Sequence, residues 1–107
     1  MNNMALIFIL QDRYEEALPA LARATRLEPT VAVFQNNLGI ALERTGRYAL
    51  AAEAYQAAVA ADSSYNKAVM SLARVQSLKD DPSLVPIDLS LLAESFDKEV
   101  RTVAVKP

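Results

Sequence analysis

Shifted by 34 residues, the chain overlays itself. Asn2 and Asn3 fall on Asn36 and Asn37, Met4 on Leu38, Arg13 and Tyr14 on Arg47 and Tyr48, Ala17 on Ala51, Ala20 on Ala54, and Ala24 on Ala58. Three of these matches are alanines in an Ala-rich chain and count for little singly. The constraint lies in their order, since large and small residues recur at fixed offsets on two helical segments, each followed by a turn. A helix–turn–helix unit of this length cannot bury its apolar face alone, so such units stack side by side into a solenoid. The period therefore predicts an all-α fold of about six helices, an α-α superhelix built from stacked pairs. The usual work of such a row is to hold another protein.

The same period sets the boundaries. Helices are expected over residues 1–11, 13–27, 31–44, 48–61 and 65–78, giving repeat units over 1–29, 30–63 and a partial third over 64–79. Asp12, Arg13, Tyr14 and Glu15 fit an N-cap with Glu at the third helical position. Glu28-Pro29-Thr30 breaks the chain, Thr45-Gly46 turns it, and Asp62-Ser63-Ser64 offers cap chemistry to the fifth helix. Pro19, inside the second helix, removes a backbone hydrogen bond at a cost of roughly 3 kcal/mol, and a kink is expected there. Leu72 and Ala73 keep register with Leu38 and Gly39, and then the repeat stops. Residues 80–87, with Pro82 and Pro86, read as a linker. Asp88 reads as the N-cap of an amphipathic capping helix over 88–103, with Ile87 and Leu92 as a hydrophobic staple. Its apolar stripe is Leu89, Leu92, Phe96 and Val100, while Glu94, Asp97, Lys98 and Arg101 are expected to face water. Residues 104–107 are left as a tail.

Composition removes whole classes of chemistry. Cysteine and histidine are both absent, and with them go disulfides, thiolate nucleophiles, Cys/His zinc sites and imidazole catalysis. The only adjacent acids, Glu15-Glu16 and Asp80-Asp81, are sequence neighbours that a helix or loop leaves solvated. No Gly-rich phosphate loop or nucleophile–base set is present. No catalytic residue, metal or cofactor is expected. The 13 acids and 11 bases are well mixed, for a net charge of −2, which gives no footprint for nucleic acid or an anionic membrane. The apolar run over residues 4–10 is far short of the roughly 20 residues that span a bilayer, and it lacks the flanks of a secretory signal. A soluble protein, cytoplasmic by default, is the expectation.

The middle unit resembles a tetratricopeptide repeat: Leu38-Gly39, Ala41-Leu42, Gly46, Tyr48, Ala51, Tyr55 and Ala58 stand where the family has its small and large signature residues. The first unit shows Met4-Ala5, Ile7-Phe8, Asp12 in place of Gly, Tyr14, Ala17, Leu21, Ala24 and Pro29. The third keeps Leu72-Ala73. The bulky group common near the start of the family's first helix is replaced by Phe34 and Gln35. The resemblance covers residues 1 to 79 and implies a right-handed superhelix. Independently of the name, small residues at Gly39, Ala41, Ala51 and Ala58 let backbones approach, while Leu38, Leu42, Tyr48 and Tyr55 fill the space between.

In that family the first helix of each pair lines a concave groove in which a partner's peptide or helix lies. The resemblance thus implies a partner-binding set of Asn2, Asn3, Leu6, Ile9 and Leu10 on one helix. Val33, Asn36, Asn37, Ile40, Glu43 and Arg44 follow on the next, then Lys67, Met70, Ser71 and Arg74. Some members grip a terminal carboxylate with a five-residue cluster of Lys, Asn and Arg. Asn37 and Lys67 match two of its slots, but Asn2, Leu6 and Ser71 occupy the others, so that clamp is incomplete here.

Ile9 and Leu10 stand where Glu43 and Arg44 stand one repeat later. Each such side chain, left in water, forgoes roughly 1.5–3 kcal/mol of burial, so something is expected to cover them. Candidates are an upstream repeat, which Met1 falling inside the repeat favours, a second copy of the chain, a ligand, or the chain's own last helix. The expected function is a protein-interaction scaffold without catalysis of its own. The alternative is an architectural or dimerisation segment of a larger repeat protein.

Overall fold

The computed structural model describes residues 11–105. The expected first helix, with Asn2, Asn3, Leu6, Ile9 and Leu10, lies outside them, as does the question of what covers Ile9 and Leu10. The described chain forms five helices and no strands: α1 (Tyr14–Leu27), α2 (Ala32–Arg44), α3 (Tyr48–Ala61), α4 (Asn66–Val75) and α5 (Leu89–Val105). The first four pack in sequence as antiparallel neighbours, α1 on α2, α2 on α3 and α3 on α4. Together with the repeat period, that is an α-α solenoid.

The core follows the large–small alternation. Ala17, Ala20, Leu21 and Ala24 of α1 are buried, and so are their counterparts Ala51, Ala54, Tyr55 and Ala58 of α3. Leu38, Ala41 and Leu42 of α2 close on both sets. Gly39 carries the tightest approach. A Cβ built there would lie 2.6 Å from Cε1 and 2.7 Å from Cδ1 of the Tyr55 ring, well inside van der Waals contact. The α2–α3 pair can close to this separation only because position 39 has no side chain.

The turns repeat as well. Gly46 ends α2 with φ +82°, donating to the Glu43 carbonyl while Arg47 N–H donates to the Leu42 carbonyl at 2.8 Å. This is a Schellman closure. Asp12, one period earlier, has φ +57°. It is therefore the left-handed turn residue of its unit, and the expectation that it caps α1 is corrected. Asp tolerates this backbone better than most residues, and its carboxylate accepts from the Tyr14 hydroxyl at 3.1 Å instead of from a helix N–H. Asp62 likewise does not cap α4. It accepts from the N–H and hydroxyl of Ser64 in a local turn, and Asp81 does the same with Ser83. Asp88 does cap α5, accepting from Ser90 and Leu91 N–H at 2.9 and 3.3 Å. α1 runs unbroken through Pro19. α4 ends at Val75, three residues early, where the Ser77 hydroxyl takes the Arg74 carbonyl at 3.1 Å and competes with further helix.

The last helix departs most from expectation. α5 does not follow α4 at the end of the row; residues 76–88 carry it back, and its main packing partner is α1. Arg23 pairs with Asp97 and Arg26 with Glu94 at 4.0 Å, so the two helices run antiparallel. The Arg23 guanidinium also lies 5.9 Å over the Phe96 ring. Asp97 therefore faces α1 and not open water. The 34-residue overlay explains the choice. On its outer side α1 carries Leu18, Ala22, Arg23 and Arg26, where α3 has Ala52, Gln56, Ala57 and Ala60. Leu18 and Ala22 are buried, whereas Gln56 is exposed. α1 thus has a second apolar face with two cations beside it, matched to the Leu92–Ala93–Phe96 stripe and the acids of α5. α5 also lacks the small residues at the spacing of Ala51, Ala54 and Ala58, which a helix closing on α4 would need.

Two substitutions test the close packing. Gly39→Ala is expected to cost about 1–3 kcal/mol by overpacking against Tyr55. Gly46→Ala is expected to cost about 1–2 kcal/mol for a left-handed Cβ, with Gly46→Asn milder. In urea titrations each should lower the midpoint with an unchanged slope.

Candidate functional site

The inner side of the row is formed by α2 and α4, helices that run the same way because each is antiparallel to α3. Between them lies an open cleft of about 310 Å³ lined by Asn36, Ile40, Glu43, Arg44, Lys67, Met70, Ser71 and Arg74. All eight belong to the partner-binding set that the repeat resemblance implies. Two further members, Val33, 42% exposed, and Asn37, half-buried, sit on α2 but do not line the cleft.

Glu43 organises one end. Its carboxylate accepts from Arg74 Nε at 2.8 Å and Nη2 at 2.7 Å, a two-pronged pair between α2 and α4, and from the Tyr55 hydroxyl at 2.8 Å. Arg74 also donates to Ser71 Oγ at 3.3 Å. The Arg74 guanidinium, with Tyr55 donating as well, holds the Glu43 carboxyl below the usual glutamate range, and Glu43 in return raises Arg74. Burial, and then the neighbouring carboxylate, push the Tyr55 phenol upward. Tyr55 is therefore a neutral donor, pinned by Gly39 at its ring and by Glu43 at its hydroxyl.

The other end is open. Asn36 is 4% exposed, and its Oδ1 is buried with no hydrogen-bond partner among the described residues. Lys67 is exposed, and neither it nor Arg44 forms an ion pair among the described residues. Ile40 is half-buried, and Met70 is 70% exposed, so an adaptable apolar floor lies between polar ends. Three cations and one acid line the cleft, in a chain of net charge −2.

Two other hollows have different chemistry. One, lined by Asp12, Arg13, Tyr14, Glu15, Glu16, Arg44 and Thr45, sits at the start of α1. The other lies under the linker, between Arg47 and Leu50 on one side and residues 80–87 on the other. There Arg47 is buried and donates to Glu15 at 2.7 Å, while Asp80 accepts from Ala49 N–H at 3.0 Å. These contacts fasten α1 to the α2–α3 turn and the linker to α3. Among the described residues no group of His, Cys, Asp or Glu is arranged to hold a metal ion, and no helix is long and apolar enough to cross a membrane.

Sequence reasoning treated Tyr55 only as filling. Its hydroxyl in the cleft network was legible in one respect: Glu43 lies one turn beyond Gly39, the residue the ring covers. The outer face of α1 also went unread, although Leu18, Arg23 and Arg26 were visible mismatches in the overlay.

Glu43 makes a pH prediction. A carboxylate whose folded pKa is depressed stabilises the fold above its unfolded value, about 4.3, and loses that contribution as pH falls through the folded one. Glu43→Gln is expected to cost about 1 kcal/mol at neutral pH, a modest figure because Arg74 is half exposed. The gap between wild type and variant should narrow steadily below about pH 4.3 in urea titrations run across pH.

A family model described as tetratricopeptide repeat matches residues 3–66, well over half of the chain and inclusive of α1, α2 and α3. No curated protein matches. With that match, the paired helices, the Gly39–Tyr55 approach and the repeated left-handed turns at Asp12 and Gly46, the chain belongs to the tetratricopeptide repeat family.

Proposed function

We propose that this chain is a protein-interaction scaffold, holding an extended peptide or helix of a partner protein in the concave side of the row and catalysing nothing itself. The observation that carries this reading is the cleft between α2 and α4. It is concave and open, its apolar middle is formed by Ile40 and Met70, and its polar side chains converge from two helices. Its residues come from the first helix of each pair, and its lining carries no nucleophile–base pair. A scaffold needs rigid walls, and the walls here are helices fixed by the Gly39–Tyr55 contact and the Glu43–Arg74 bridge.

A second reading, an architectural or self-associating segment, is favoured by one observation. Gly39 is covered by Tyr55, but Ala73, its counterpart on α4, is exposed, and Val69 beside it is 42% exposed. No second helix closes on α4 among the described residues. Sedimentation across a concentration series separates the two readings: a dimer whose assembly is abolished by Val69→Glu supports the second.

For the first, a partner captured from a source lysate should slow hydrogen exchange in α2 and α4. Lys67→Glu combined with Met70→Glu should weaken capture at least tenfold without altering the helical circular dichroism. Glu53→Lys, on the opposite side, should leave capture unchanged. Protection confined to α1 and α5 would reject the groove.

A further inference from the structure

The outer face of α1 breaks the repeat, and α5 lies on it. Leu18 and Ala22 stand there beside Arg23 and Arg26, where α3 has Ala52, Gln56, Ala57 and Ala60. The occupant shows what the face takes. It is a helix with an apolar stripe through Leu92, Ala93 and Phe96 and with acids at Glu94 and Asp97. The Arg23 guanidinium lies over the Phe96 ring and pairs with Asp97, so one cation meets both an aromatic and the acid after it.

The grip on this occupant is light. Among the described residues of α5 only Ala93 and Phe96 are buried, Leu89 and Leu92 are half-buried, and Leu91 is 59% exposed. In α3, by contrast, Ala51, Ala54, Tyr55 and Ala58 are all buried. The Arg26–Glu94 pair, at 4.0 Å and half exposed on both sides, adds little stability. Such charges act mainly on which partner docks and in which direction. Two features let α5 lift while the row stays intact. The linker is fastened before α5 begins, by Asp80 accepting from Ala49 N–H at 3.0 Å and by Leu84 beside Gly46, whereas Val85 is 74% exposed. The N-cap of α5 is its own, because Asp88 accepts from Ser90 and Leu91 N–H. A released α5 therefore keeps its helix start.

We propose that the outer face of α1 is a second protein-docking surface, separate from the cleft, and that α5 is its built-in competitor. The partner it fits is an amphipathic helix of another protein, with a Leu/Phe stripe and two acids three residues apart, the second directly after the aromatic. Its aromatic lies against Arg23, its acids meet Arg26 and Arg23, and its stripe covers Leu18 and Ala22. α5 holds the same face from within the chain, at an effective concentration in the roughly millimolar range. Binding in trans therefore requires α5 to leave, and the apparent affinity scales with the fraction of chains in which the face is open. A second copy of this chain fits less well, because its α5 offers nothing that the α5 already in place does not.

The test uses the full chain and a dye-labelled peptide of residues 86–105, read by fluorescence anisotropy. A companion peptide carries Glu94→Gln and Asp97→Asn. In the protein, Asp97→Arg reverses the acid that meets Arg23 and frees α5. This variant should bind the acidic peptide at least tenfold tighter than wild type, and exchange of its α5 amides should be faster. It should bind the neutral peptide at least fivefold more weakly, with affinity for the acidic one falling as salt rises. Adding Arg26→Glu, at an exposed position, should weaken binding to a similar degree with unchanged circular dichroism. Bound peptide should slow hydrogen exchange in α1. In wild type, peptide at about millimolar concentration should speed exchange in α5, a displacement that needs no substitution. Equal affinity of wild type and Asp97→Arg, or α5 exchange in wild type that the peptide leaves unchanged, would make α5 a fixed cap and overturn the competitor. Equal affinity for the acidic and neutral peptides would overturn the stated partner chemistry. Protection of α2 and α4 in place of α1 would put the helix in the cleft and overturn the outer face. Wild-type dimers that dissociate on Asp97→Arg in sedimentation would make the occupant a second copy and overturn the choice of another protein. Failure at α1 leaves the groove reading standing, since that reading is tested by capture through Lys67 and Met70.

Discussion

The position of the Tyr55 ring over Gly39 is the contact on which the rest of the described structure depends. A side chain at position 39 would lie within 3 Å of three ring atoms, so the separation of α2 and α3 is set by hydrogen at one residue and an aromatic face at another. That separation places the Tyr55 hydroxyl at Glu43. Glu43, held there, takes Arg74 from the next unit. A contact inside one repeat thereby becomes a bond between repeats, and the spacing of α2 from α4, hence the width of the cleft, follows from it. Backbone close packing and charge pairing are in series here. Loosening the first removes the geometry that gives the second its strength.

What the sequence disclosed was whatever repeats. The offset of 34 residues located α2 and α3 to within a residue, because their apolar positions recur in both units and each helix finds the same neighbours in each. The eight cleft residues were legible for the same reason. They sit at equivalent positions on helices whose order is fixed by the period. The caps were legible only in part. Asp12, Asp62 and Asp88 look alike in sequence, but only Asp88 meets free N–H groups of a helix directly after it. Asp12 stands one period before Gly46 and inherits that residue's left-handed backbone, and Asp62 spends its carboxylate on Ser64 two residues on. A short polar side chain satisfies whichever donor is nearest, and the overlay was the better guide at position 12.

The path of α5 was not legible from α5. Its stripe of Leu89, Leu92 and Phe96 states that one face is buried and is silent about against what. The answer lay in α1, where Leu18 and Ala22 occupy positions that are Ala52 and Gln56 in α3, and where Arg23 and Arg26 replace alanines. In a repeat protein the informative residues for non-repeating contacts are those that break the repeat, since matching positions report the contacts every unit shares. The linker supports the same path. Leu84 reaches Gly46, with its Cδ1 3.4 Å from where a Cβ would stand, and Asp80 accepts from Ala49 N–H. Residues 76–88 are thus held across the ends of α2 and α3 on their way back to α1.

The two ends of the cleft differ in how completely their buried polar groups are satisfied, and the difference costs stability. A buried acceptor left without a donor carries a penalty of about 1–3 kcal/mol, in a fold whose total margin is of order 5–15 kcal/mol. At Glu43 the chain shows it can satisfy such a group completely, with three donors from two helices. At Asn36, two turns away in the same cleft, an aliphatic residue of similar volume would remove the penalty, and Ile40 shows that the lining accommodates one. Lys67, on α4, is exposed and forms no ion pair among the described residues. Polar satisfaction is complete where it braces α2 against α4, at Glu43 and Arg74, and incomplete at Asn36, where no such brace forms among the described residues.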